Sequence, residues 1–356
     1  MSLRMDDQLQ KILMAGILAP SADNRHLFRY RLAGDQILLT ASDRYVEANA
    51  QTRLLAWISF GTVVENISIQ AAAFGIVAQP TWFPRENIIC EIALLSSGTL
   101  PDTLVDAIPR RHTNRRLLFK GPPLDNSQRE ELERQVSAIP GARLIWLDSP
   151  DLRSTALHLI RLAETERFRS HALHEELFAS LRFDVGHRST CAEGIPIGAA
   201  ELDPPAKLLF PTLRSWNLMR ALNVIGAHTL IGWRAAWLPA RLAPHIGLIV
   251  GTGDIQLAAA QAGRGFQRLW LTATKMDLAL QPFAAAALYA LPHFCGVSEA
   301  VRRELREGWL QVESVGTPMM GFRLGRAAPP SVTSGRPPLD HFLEPARTDR
   351  LSGRPI

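Results

Sequence analysis

Apolar positions along the chain fall into two kinds of run. Two stretches, residues 61–80 and 263–282, carry apolar residues at helical spacing and align without a gap at an offset of 202. Both begin with Gly and end in Gln-Pro, four of the 20 positions are identical, and the pairs Ile67/Leu269, Ile69/Leu271, Phe74/Met276 and Ile76/Leu278 keep one helical face. This pattern predicts an internal repeat built on a helix. Short apolar runs bounded by polar or Gly-Pro punctuation predict strands over Ala142–Leu147, Ile246–Val250, Ile88–Leu95 and Met319–Leu324. Asn126–Ser137 reads as a helix, and an alternating strand is expected after Phe28. Helices and strands alternate without a regular period, so a mixed sheet with helices packed on it is expected, an α+β architecture rather than a doubly wound one.

Two segments stand outside that pattern. Residues 185–243 are rich in Pro, Trp and Ala, including Pro204, Pro205, Pro211, Trp216, Trp233, Trp237 and Pro239, and have no counterpart in the first half. They read as an insertion or lid. The tail from Ala327 carries six prolines and few apolar residues, so it should be extended unless it lies along another surface. Leu278–Val297 is uncharged and long enough to span a membrane, but Gln281, Pro282, Pro292 and His293 favour a buried turn and helix.

With 356 residues and 47% hydrophobic content the chain exceeds one core, and two halves are expected. The net charge of +5 is fully accounted for by Arg110–Lys120, which holds Arg110, Arg111, Arg115, Arg116 and Lys120 and no acid. Basicity is one spot rather than a stripe, and no nucleic-acid-binding motif or aromatic stacking platform accompanies it, so nucleic acid is not an expected partner. Only four of the 39 basic residues are Lys, which favours forked recognition of carboxylate or phosphate. Cys90, Cys191 and Cys295 are far apart and odd in number. They point away from a disulfide framework and toward a reducing, cytoplasmic setting, and the N-terminal residues do not read as a signal peptide.

Several short motifs could carry chemistry. Arg111, Thr113 and Arg115 alternate in an extended loop and can face one way, as a phosphate dianion requires, or can form a solvated basic loop. In the turn Pro20–Tyr30, Ser21 and Asn24 either cap backbone or bond the polar edge of a heterocycle. Gly251-Thr252-Gly253-Asp254 lacks the third glycine of a dinucleotide fingerprint, and Asp254 reads as a helix cap. His293-Phe294-Cys295 reads as buried core and not as a metal site. No catalytic acid or base is evident.

Taken together these pieces resemble the FMN-dependent nitroreductase superfamily, in the branch where two nitroreductase-like halves share one chain. Arg111, Thr113 and Arg115 match that family's R-x-[ST]-x-R stretch. Pro20, Ser21, Asn24, Phe28 and Tyr30 fit its P-S-x-x-N segment, with His26, Leu27 and Phe28 replacing Gln, Pro and Trp. Leu280–Ala285 resembles the stretch whose backbone approaches flavin N5, although Ala284 stands where many members have Glu. Phe322–Arg326 resembles the final strand, whose basic residues help hold the phosphate.

The resemblance implies a nitroreductase-like α+β fold of two pseudo-symmetric halves, residues 1–105 and 106–330, each with a mixed, mostly antiparallel sheet and packed helices, followed by an extended tail, 331–356. It implies one FMN per chain. The phosphate would be held by Arg111, Thr113, Arg115 and an arginine of the last strand, Arg323 or Arg326, and the ring by Ser21, Asn24, His26, Gln281, Pro282, Ala284 and Ala285. A mirror site should be degenerate. Hydride would pass from NAD(P)H through the flavin to a nitroaromatic, quinone or enone, in a monomeric pseudo-dimer or a homodimer without membrane association. The alternative is a protein that sequesters FMN beneath a lid, with Trp216, Trp233 or Trp237 filling the mouth above it.

Overall fold

The computed structural model describes residues 7–344 apart from 97 and 99; the last part of the expected tail lies outside the described residues. The fold is α+β and is organised around two four-stranded sheets, each wholly antiparallel. The first runs, in spatial order, Phe28–Ala33, Gln36–Ala41, Ile88–Ser96, Ile76–Arg85. The second runs Ala142–Trp146, His245–Gly251, Thr317–Gly325, Ala279–Phe283. Ranked by chain position within each sheet, both have the order first, second, fourth, third. In both, a long helix joins the second strand to the third: Ala50–Ala72 in the first half and Ile255–Lys275 in the second.

These two helices form the centre of the molecule, and their crossing obeys the 202-residue offset. A Cβ on Gly61 would stand 2.0 Å from the Ala260 carbonyl, and a Cβ on Gly263 would stand 2.0 Å from the Ile58 carbonyl. Adding 202 to 61 and 58 gives 263 and 260, so the contacts exchange under one pseudo-two-fold axis. Only glycine allows backbones to meet this closely. Gly265, two residues beyond Gly263, faces Ala142 and Val136 instead. The helix ends correspond too, through Gly75 at φ 72° and Asp277 at φ 55°, both left-handed. The repeat is therefore mostly helix, followed by a turn and the start of the next strand. Phe74, Ile76, Met276 and Leu278 fall beyond the helices and do not extend their face.

Local chemistry accounts for the ends of these elements. The Asn49 carboxamide accepts from the Thr52 amide at 2.9 Å and the Asp254 carboxylate from the Gln256 amide at 2.9 Å, so each central helix is capped. Asn126–Ser137 forms as expected, behind an Asp125/Gln128 capping box. Ala50–Ala72 is long and apolar enough to cross a membrane, yet it is mostly buried between the first sheet and its partner helix. Leu278–Val297, the stretch of spanning length in sequence, contains the strand Ala279–Phe283 and the short helix Ala284–Leu288. Of His293-Phe294-Cys295 only Phe294 belongs to the core, and Cys295 is exposed.

The halves differ in their connections. In the first, strands three and four are joined by a tight turn with Asn87 at φ 63°. In the second, residues 284–316 fill that position, and residues 147–244 separate strands one and two. The insertion therefore starts well before residue 185. It includes the helices Pro150–Arg169 and His171–Ser180 and has its own small core of Phe168, Phe178, Leu181 and Met219. After the last strand the chain returns to the first half. Phe342 stacks on Phe28 at 5.1 Å, the Tyr30 amide donates to the Phe342 carbonyl at 2.7 Å, and Glu344 pairs with Arg31 at 2.6 Å.

Candidate functional site

Three segments distant in sequence meet in one cleft between the halves. The strand end Gln281-Pro282 lies beside Thr113, which bridges to Leu280, and the Asn114 amide donates to the Leu280 carbonyl at 3.0 Å. Opposite them is the turn Pro20–Asn24. It is pinned to the first central helix by Thr62 Oγ1 donating to the Pro20 carbonyl at 2.8 Å and by the Ala22 amide donating to Ser59 Oγ at 3.2 Å. Asp23 and Asn24 both adopt left-handed φ of 54°, a conformation that persists only when its surroundings impose it.

The cleft has three adjoining lobes. A basic lobe of about 190 Å³ is bordered by Ser21, Asn24, Arg111, His112, Thr113, Arg115 and Arg336. A middle lobe of about 250 Å³ lies between Pro20–Asp23, Trp270, Pro282 and Ala284-Ala285. A third, of about 500 Å³, opens under the insertion. Asp23 and Arg115 border all three.

The basic lobe gathers three guanidiniums, those of Arg111, Arg115 and Arg336, against the single carboxylate of Asp23. Arg111 is 5% exposed, lies over the Trp270 ring at 4.5 Å, donates to the Leu18 carbonyl at 3.2 Å and leaves its Nε without a partner. Arg336 bonds only to the carbonyls of Ile17, Ala19 and Gly335 and to Asn24 Oδ1. Burial pushes Arg336 down to about 10, and burial together with the neighbouring Arg336 pushes Arg111 down to about 9. Arg111 and Arg336, buried beside each other and each without an ion pair, leave that end of the lobe short of an anion. Ser21 Oγ, buried and unpartnered, faces the junction with the middle lobe.

The middle lobe combines apolar walls, among them Phe266, Leu288, Phe294 and Met320, with a polar edge. Asp23, whose carboxylate is drawn upward in pKa by burial against the opposing pull of Arg25, Arg167 and Arg115, has neither a hydrogen bond nor a salt bridge. Glu176 faces the same lobe, bonds Gln51, and is also raised, by burial and by Asp23. Arg167 donates to Tyr289 Oη at 3.2 Å and to Glu164 at 2.9 Å.

Of the residues singled out in sequence, Ser21, Thr113, Arg115, Pro282, Ala284 and Ala285 border the middle lobe, and Arg111 and Asn24 border the basic one. Asn24 is chiefly a tether, its Nδ2 donating to the carbonyls of Ala192 and Gly194 at 3.1 Å. Four residues depart from expectation. His26, in the loop just before the strand Phe28–Ala33, is 2% exposed, packs against Phe28 and Phe342 of the first-half core and borders none of the three lobes. Arg323 is fully buried and donates to Gln281 at 2.9 Å and to the carbonyls of Leu117, Pro239 and Arg116, with its guanidinium 3.9 Å from the Phe119 ring centre. It ties its strand to Gln281 of the neighbouring strand, to the Arg116–Leu117 loop and to Pro239 of the insertion, and borders none of the three lobes. Gln281, engaged by Arg323, borders only the insertion lobe. Arg326 is exposed at the strand end, paired through its backbone with Lys120.

Arg336 was missed. It sits in the Pro-rich tail, where the only sequence signal was an arginine between Gly335 and Pro337. Asp23 was also missed, because a turn aspartate is ordinarily a backbone cap. None of Trp216, Trp233 and Trp237 borders a lobe. Trp216 packs on His171 and His174, and Trp233 stacks on Trp237.

No family model matches the chain. It is similar to the uncharacterised protein MT1398 of Mycobacterium tuberculosis (strain CDC 1551 / Oshkosh), 25% identical over 358 residues that cover 94% of this chain and 48% of that protein. The chain thus spans about half the length of that relative. Solved structures similar to it include the FMN-dependent nitroreductase NfnB from Mycobacterium smegmatis in complex with NADPH, 18% identical with a TM-score of 0.38, covering 68% of this chain and 100% of that one. Others are iodotyrosine deiodinase bound to FMN and 3-iodo-L-tyrosine, at 13%, TM-score 0.39, 66% and 96%, and B. megaterium NfrA2, at 10%, TM-score 0.36, 67% and 71%.

Proposed function

We propose that the chain is an FMN-dependent oxidoreductase of nitroreductase type, binding one flavin in the basic and middle lobes. The observation that carries this reading is the convergence of Pro20–Asp23, Arg111–Arg115 and Pro282–Ala285 on one cleft, cationic at one end and apolar in the middle. That polarity fits FMN, a dianionic phosphate on a flexible chain attached to a flat ring. Arg111, Thr113, Arg115 and Arg336 would hold the phosphate, and a charge-assisted bond there relieves the unpartnered Arg111 Nε. Pro20, Ser21 and the backbone of Pro282–Ala285 would bracket the ring, with Ser21 Oγ free to bond its polar edge.

The bound cofactor would supply hydride chemistry, and the protein orientation, electrostatics and access. NAD(P)H as donor and a quinone or nitroaromatic as acceptor follow from the same reading. Flavin sequestration beneath a tryptophan lid is less well supported, because none of the three tryptophans borders the cleft.

The visible spectrum of the purified protein tests this reading directly. Flavin bands that bleach on anaerobic addition of NADH or NADPH and return with a quinone support the oxidoreductase. Bands that only dithionite bleaches support a holding role, and a protein that neither contains nor binds FMN overturns both.

A further inference from the structure

The largest lobe adjoins the two that would hold the flavin. It is formed by the insertion and by the far side of Gln281–Ala286, meets the middle lobe at Pro282, Ala284 and Ala285, and has a volume of about 500 Å³, within the range of pockets that enclose a small organic molecule. Its walls are mainly apolar, with Ile160, Phe168, Leu181, Phe210, Leu213 and Ile231 prominent. The charged groups on its lining are largely matched with one another. Glu164 bonds Arg167 at 2.9 Å, Asp203 bonds Arg234, and Glu201 is held by Arg116 at 3.5 Å and by Ser331. Only Arg115 and Asp23, at the junction with the middle lobe, are left without an ion pair.

Two further observations concern the same chamber. Residues Trp233–Trp237 form a π-helical turn, and its Arg234, Ala235 and Ala236 face the chamber. Such turns are rare and concentrate at functional sites. The chamber's rim is also apolar where it meets solvent: Leu209 is 64% exposed and Leu230 67%, and the same helices expose Leu208 at 80%. Single exposed leucines are ordinary, but leucines that both line a chamber and face water are suited to capturing an apolar ligand.

We propose that this chamber binds the apolar part of an uncharged, elongated acceptor, such as an alkyl-substituted quinone, with its polar head at the Asp23/Arg115 junction. The inference rests on the flavin reading only for the word acceptor, since chamber binding requires no flavin. Away from that junction the lining is self-paired and offers no unmatched charge to a dinucleotide's phosphates.

The test is calorimetric titration of the flavin-stripped and flavin-loaded protein with 1,4-benzoquinones bearing alkyl chains of increasing length, alongside Ala206→Trp, which fills a half-buried wall position, and Leu230→Glu, which places a charge on the exposed rim. Affinity is expected to tighten about threefold per added methylene until the chamber is full, in the stripped protein as well. Ala206→Trp should remove that dependence while flavin content stays unchanged, and Leu230→Glu should weaken the long-chain ligands about tenfold. Affinity that is independent of chain length, or length dependence that survives in both variants, overturns the proposal. Chain-length dependence in a protein that binds no FMN would leave the chamber standing and sink the flavin reading instead.

Discussion

The two halves share a scaffold and differ in what is attached to it. In both, the long helix leads from the second strand to the third, and Gly61 and Gly263 make the same contact with the opposite helix. The first half closes its outer hairpin in a tight turn, while the second carries residues 147–244 and 284–316 between the corresponding strands. The cleft takes the Pro20–Asn24 turn and one face of the first central helix, through Leu55, Ile58, Ser59 and Thr62, from the plain half, and its basic groups and insertion lobe from the elaborated half and the tail. Symmetry therefore describes the stability of this molecule and asymmetry its chemistry. A core must pack everywhere, whereas a site needs only one set of groups converging at one place.

The most severe way to break the symmetry is at the helix crossing. Gly61→Val and Gly263→Val should each destabilise by about 3 kcal/mol or more, because the new side chain meets backbone rather than a movable side chain. Denaturant titration should give nearly equal losses for the two, and a loss in one alone would refute the pseudo-two-fold argument.

His26 offers a test confined to the plain half. Burial, with Arg336 and His341 nearby, lowers its pKa to about 3. The unfolded chain takes up a proton near pH 6.5 and the folded one does not, so stability is full above about pH 6.5 and falls between there and pH 3. At pH 4.5 the loss attributable to this group should reach about 3 kcal/mol, and His26→Leu should flatten the acid limb of the pH–stability profile. An unchanged profile would place the titrating group elsewhere.

In the elaborated half, Arg111→Met and Arg336→Met should each weaken FMN binding by about tenfold to a hundredfold, the worth of one charge-assisted bond, measured by fluorescence quenching of added FMN. Arg323→Met should instead unfold the protein at lower denaturant, since that side chain satisfies three carbonyls and Gln281. If Arg323 variants lost flavin but kept their stability, the assignment of structural and binding arginines would be reversed. The smallest effect concerns the helix caps. Asn49→Ala should cost about 1 kcal/mol, and Asp254→Ala should act in the same direction on the matching helix of the other half.

Much of this was legible in the chain because it depends on local spacing. Four strands and the helix Asn126–Ser137 lie where apolar runs and a capping aspartate put them, and the gapless 202-residue offset already contained the helix crossing, since helices that meet at a pseudo-two-fold axis must place their small residues at equivalent positions. The grouping of Ser21 with Arg111, Thr113 and Arg115 came only from the family resemblance, since local spacing left each of them an ordinary structural use.

The arginines mark where sequence stopped being sufficient. Arg111, Arg323 and Arg336 are alike in the sequence, yet one is a buried cation over Trp270 with a free Nε, one is saturated by carbonyls, and one reaches back from the tail to the ends of the first helix and the Pro20 turn. A guanidinium binds a ligand or a strand according to whether the fold has already supplied acceptors for its five donors, and those acceptors come from residues up to 319 positions away. The same holds for Asp23, which would be a cap had the turn not been held left-handed in the cleft, and for the chamber under the insertion, whose walls come from segments that meet only in three dimensions. Periodicity and spacing determine which elements form and where they begin and end; tertiary packing alone decides which polar groups are left with unused bonds, and in this protein those groups make the site.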